Sequence, residues 1–216
     1  MVGTSMATPL LAGCGAVLRQ ALKAFSKGLS DDAAIKWFGS RPNTEGPGAA
    51  DPGSALLKAL TINGAVPLGS GPIPDKHWRF GRVNLFAQNV VPEGGEWKTE
   101  FVVPDKCNRA SLLGEVLCPR LKATMAYVDM EGDMLQNLVH ISAQYWPADG
   151  SGPFIEKVNE GSLAKKEDNN VQQVVWKAIK PGKYSIAVRC ARILQKQETG
   201  MFGVAWHVEK DVGLEA

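Results

Sequence analysis

The hydrophobic pattern of this chain changes its period near residue 90, and that change restricts the fold more than any other feature. Before it the strong patterns are helical, and after it most of them alternate with period two. Side chains of a strand point to opposite faces in turn, so alternation marks strands that bury one face in a core. The chain is expected to divide into residues 1–90, a helical unit, and residues 91–216, a β unit. The class expected is mixed α and β.

In the second unit the candidate strands are 97–103, 111–116, 120–128, 138–146, 153–158, 171–179, 183–193 and 201–208. Leu121, Ala123, Met125 and Tyr127 alternate with Lys122 and Thr124, and Phe202, Val204, Trp206 and Val208 with Gly203, Ala205 and His207. The first set of each pair is expected to point inward, with Val171, Val174, Trp176 and Ile179 in the same core. Pro181-Gly182 gives a tight turn into the next strand. Short strands joined by turn residues predict an antiparallel β-sandwich or jelly roll. Its aromatic residues are read as core, because a sugar-binding face needs exposed aromatics.

The first unit holds two helical patterns. MATPLLAGCGAVLRQALKAF (residues 6–25) is apolar on most sides, as for a helix buried inside a domain. DPGSALLKALTINGAVPL (51–68) places Pro52 in a first turn, turns Leu56, Leu57 and Leu60 toward the domain, and ends at Asn63-Gly64. The Gly- and Pro-rich stretches between and after them, SRPNTEGPGAADPGS and PLGSGPIPDK, are surface connections.

Overlapping the start of the first helix is GTSMATP, residues 3–9. Thr4 suits an N-cap, Gly3 and Ala7 are small, and Pro9 is read as a first-turn proline. The string closely resembles the serine-nucleophile motif of subtilisin-like serine peptidases. The resemblance implies that Ser5 is the nucleophile, that its own N–H at the helix start is a donor for the oxyanion formed on attack, and that Gly3 and Ala7 let the carbonyl approach. Two further segments follow in the family's order: the KAxLxNGA-like helix end at residues 58–65, and the GRVN-like turn in FGRVNLFAQ, residues 80–88.

The second unit resembles the C-terminal jelly-roll domain of some subtilases, related in form to the P domain of proprotein convertases. LKATMAYVD (121–129), DNNVQQVVW (168–176) and PGKYSIAV (181–188) carry that likeness. The family's NDLDL-like segment is QNLVHIS here (136–142): Asn137 and Leu138 fit, and the acidic positions are lost. In several relatives such loops accompany calcium, and Asp129, Glu131 and Asp133 are the hard-oxygen candidates in this chain. A solvated hairpin loop is the plainer reading of those carboxylates.

The resemblance implies a serine-type endopeptidase whose remaining triad members, an Asp and a His, come from upstream segments together with an oxyanion-holding Asn. No such segment is found in this sequence. His77, His140 and His207 lie in other contexts and are read as structural. The chain alone is therefore expected to be inactive, acting on a peptide or protein substrate only with an upstream segment as partner. The alternative is a non-catalytic β-sandwich module capped by a protease remnant. Its formal net charge of +2, without a basic cluster, predicts no nucleic-acid partner, and no apolar run approaches the roughly 20 residues of a membrane span. The N-terminus has no signal-peptide pattern, although the resemblance is compatible with secretion. Cys14 is read as buried and Cys190 as packed, while Cys107 and Cys118 could pair in an exported protein. Helices 5–25 and 54–60 lack the parallel strands that such helices normally cover. They are expected to dock loosely or to leave an apolar surface open.

Overall fold

The computed structural model describes residues 4–26, 53–66, 68, 80–85, 89–91, 97–103, 119–129, 135–147, 149–150, 155–158, 170–177, 179–193 and 202–210. The elements are α1 (Thr4–Ser26), α2 (Ser54–Asn63), β1 (Asn89–Val91), β2 (Trp97–Val103), β3 (Pro119–Tyr127), β4 (Asn137–Pro147), β5 (Ile155–Val158), β6 (Val171–Trp176), β7 (Gly182–Ile193) and β8 (Phe202–Lys210). The chain is mixed α and β, with every strand pair antiparallel. Seven of the expected strands form within a few residues of their expected bounds, the 111–116 strand lies outside the described residues, and β1 is additional.

The strands make two four-stranded sheets, ordered β1-β8-β3-β6 and β2-β7-β4-β5. One apolar core is shared between them. Leu121, Met125 and Tyr127 of β3, with Phe202 and Val204 of β8, meet Ile141 and Tyr145 of β4 and Tyr184 and Ile186 of β7. All but Tyr145 are at most 1 % exposed, so each large side chain contributes the full transfer free energy, about 1.5–3 kcal/mol. The aromatics lie inside this core. Tyr184 stacks on Tyr145 at 4.7 Å between centroids and meets Trp176 edge-on at 5.5 Å. The Tyr184 hydroxyl donates to the Lys180 carbonyl at 2.8 Å and accepts from the Lys180 N–H at 2.9 Å, pinning the Pro181-Gly182 turn to its strand. Burial raises this phenol well above its ordinary range, and the nearby Tyr145 adds to the rise.

Two inward expectations need correction. Val208 is 37 % exposed. Val171 is buried, but on the outer side of its sheet, because it pairs with Ala126 rather than with an inward residue of β3. That outer side is itself a second core. Leu56, Ala59 and Leu60 of α2 pack there against Ala126, Val171 and Ala205, with Leu57, Ile62 and Phe80 at the margin.

The approach of α2 to β8 is set by Gly203. A Cβ added there would stand 2.4 Å from Leu56 Cα and 2.5 Å from Leu56 N, so only glycine lets the helix backbone lie on the strand. After α2, Val66 and Arg82 exchange two backbone hydrogen bonds of 2.8 Å, tying the FGRVN turn to the helix end. Gly81, at φ 102°, supplies the left-handed residue that this turn requires. At the end of α2 the expected stop takes a different form: Gly64 is right-handed (φ −75°), and its N–H continues the ladder to Leu60 O at 3.0 Å. Pro52 lies outside the described residues.

α1 departs most from expectation. Met6, Leu10, Leu11, Val17 and Phe25 are exposed, Leu10 by 71 %, and only Leu22 is buried, with Leu18 beside it against the α2 cluster. The apolar-all-round pattern that predicts a buried helix needs a cover on every side, and the described residues cover one. Cys14, read as buried, is half-buried and free. The side chain of Cys190 and all of Cys107 and Cys118 lie outside the described residues.

Candidate functional site

Ser5 is the second residue of α1 and is exposed. Its N–H belongs to the first turn, where backbone donors have no intrahelical acceptor and the helix dipole favours developing negative charge. Thr4 is the first helical residue rather than the N-cap, and Gly3 lies outside the described residues. Thr4 instead offers its carbonyl to the Thr8 hydroxyl at 2.9 Å. Pro9 is a proline inside the helix rather than in its first turn. Lacking an N–H, it cannot donate to the carbonyl four residues back, so the rung above Ser5 is missing from the ladder.

The described histidines are engaged elsewhere. His140 Nδ1 lies 3.2 Å from Gln172 Nε2, and the Gln172 carbonyl accepts the Ile141 N–H at 3.2 Å, a polar link between the two sheets. His207 Nδ1 lies 2.8 Å from Asn63 Nδ2 on the outer face of β8. His77 lies outside the described residues. Both described rings thus sit against carboxamides, the setting of a structural histidine.

Asp129 caps a turn. Its Oδ2 accepts from the Gln136 N–H at 2.7 Å and its Oδ1 from the Asn137 N–H at 3.1 Å, so both oxygens hold the start of β4. Glu131 and Asp133 lie outside the described residues. Among the described residues no group of three or more His, Cys, Asp or Glu could hold a metal ion, and no helix is long and apolar enough to cross a membrane.

The residue that sequence reasoning undervalued is Asn63, assigned only to a helix end. It is fully buried and joins α2 to the sheet. Thr124 Oγ1 donates to Asn63 Oδ1 at 3.0 Å, and Gln173 Nε2 donates to Thr124 Oγ1 at 2.8 Å. Beside them Lys122 Nζ donates to the Ala65 carbonyl at 2.7 Å, a cation at a helix C-terminus where the dipole favours it. On the helix's other flank Lys58 Nζ donates to Asn170 Oδ1 at 2.9 Å, and desolvation lowers its pKa. Lys122, Thr124 and Gln173 are polar at outward strand positions and yet nearly inaccessible. Three polar residues on one outer face, with a glycine beside them, were the available signal that something covers it.

Compared with protein-family models and with curated protein sequences, the chain gives no match.

Proposed function

We propose that the chain is the C-terminal part of a subtilisin-like serine endopeptidase, with residues 91–216 forming a jelly-roll β-sandwich attached to it. GTSMATP is the observation that carries the reading: it sets Ser5 in the first turn of α1, exposed to a substrate, with partnerless N–H groups around it. In the full enzyme an upstream His takes the Ser5 Oγ proton as Oγ attacks the peptide carbonyl carbon. The oxyanion rests on the Ser5 N–H and an upstream Asn side chain. The C–N bond then breaks, the His returns the proton to the leaving amine, and water hydrolyses the acyl ester. The apolar side of α1, uncovered among the described residues, supports a cover supplied by the upstream segment. Two four-stranded sheets whose neighbours are mostly non-consecutive strands support the jelly-roll assignment.

A second reading, a non-catalytic β-sandwich capped by a protease remnant, is favoured by the seating of α2 in its own core on the sheet. Mixing the chain with a polypeptide that carries the Asp and His segments, then adding a fluorescent fluorophosphonate, separates the two. The peptidase reading expects a labelled 23.2 kDa band that Ser5→Ala abolishes. Absence of labelling in the mixture would sink it and leave the capped module.

A further inference from the structure

We propose that docking of α2 on the β1-β8-β3-β6 sheet is gated by the protonation of His207, making the joint between helix and sheet release on acidification. This does not depend on the peptidase reading. It follows from the direction of the hydrogen bonds at Asn63. Gln173 Nε2 donates to Thr124 Oγ1, and Thr124 has one hydroxyl proton, which goes to Asn63 Oδ1. Asn63 is thereby turned so that its Nδ2 points at His207 Nδ1, 2.8 Å away. An N–H donor at that distance requires an acceptor, so the docked joint holds the ring neutral with its proton on Nε2. A proton on Nδ1 would set two donors against each other beside a fully buried carboxamide.

Charged residues share this face with the ring. Lys122 stands directly across from His207 on β3, and one pair further along the same face Arg120 stands across from Glu209. The charged residue of α2 is Lys58, on the helix's other flank and held by Asn170. β6 presents Val171, Gln173 and Val175, and β1 is Asn89, Val90 and Val91, none of them charged. A ring that must be neutral when docked and is free to charge when released links proton uptake to release.

Hydrogen exchange on the full chain between pH 8 and pH 5, referenced to intrinsic rates, tests this. The amides of the last turns of α2 are expected to exchange about tenfold faster at the acid end, while those of β7 keep their protection. His207→Gln retains an acceptor that does not titrate and should give a flat profile; His140→Gln should leave the wild-type profile intact. A wild-type profile that is already flat would overturn the proposal, as would an unchanged acid response in His207→Gln. A flat wild-type profile is what a network reversing direction, with both amides flipped, would give. Nitrogen NMR of the wild-type ring covers the case in which the variant fails to fold. Protonation at Nδ1 rather than Nε2 at pH 8 would contradict the assigned bond direction and overturn the proposal.

Discussion

α1 and α2 come from the same helical stretch of sequence and are similarly rich in alanine and leucine, yet among the described residues one is buried and the other is largely exposed. Leu56 of α2 is 0 % exposed and Leu10 of α1 is 71 % exposed. The difference lies in what each helix finds opposite it. α2 meets a sheet face prepared with Gly203, Ala126 and Ala205, small enough for a backbone to approach, and with Thr124 and Gln173 ready to bind its end. Among the described residues, the apolar contact of α1 is with the α2 cluster, through Leu18 and Leu22. Apolar content gives a helix the means to be buried, and a complementary surface decides whether it is.

Substitutions can break this contrast. Leu56→Ala is expected to cost about 3 kcal/mol, from lost transfer free energy and a residual cavity, whereas Leu10→Ala should change stability by less than about 0.5 kcal/mol. Urea melts of the two variants give the comparison directly, and equal losses would mean that α1 is covered after all. Gly203→Ala comes next, at about 2 kcal/mol, because the clash is with the Leu56 backbone and the helix must lift as a whole. Limited proteolysis should then cut within α2 while the strands of the shared core stay intact.

The smallest effect separates loss of the sheets from loss of the helix. Tyr184 has its phenol raised above the ordinary value of 10.0, so its contribution is complete below pH 10 and declines as pH rises through its folded-state value. Tyr184→Phe, at a cost of about 1 kcal/mol for the hydroxyl's hydrogen bonds, should blunt that alkaline decline in the thermal midpoint. An unaltered alkaline slope in the variant would assign the decline to another group.

Much of this architecture was legible in the sequence. Period-two alternation found β3, β4, β7 and β8 because each turns alternate apolar residues to the shared core, and residues 97–103 were delimited to the residue. β1 escaped because three residues are too few for a period to appear. Val171 was assigned to the wrong core because a residue between two apolar layers looks inward from either side. The site was less legible. The helix behind GTSMATP was readable, but its exposure was not, since an apolar-all-round pattern gives no sign of whether its cover is present. The partnership of Asn63 with His207 was out of reach, because 144 positions separate the two and no local pattern links them.

That separation has a consequence for how the molecule assembles. The cradle for α2 is completed by β8, the last described strand, which lies between β1 and β3 in its sheet. α2 is synthesised well before this strand and waits for it before its apolar side is fully covered. Contacts so distant in sequence close slowly, and nascent chains carry their open surfaces meanwhile. Until Phe202–Lys210 has been made, the apolar side of α2 lacks part of its cover, an open surface of the kind that chaperones hold.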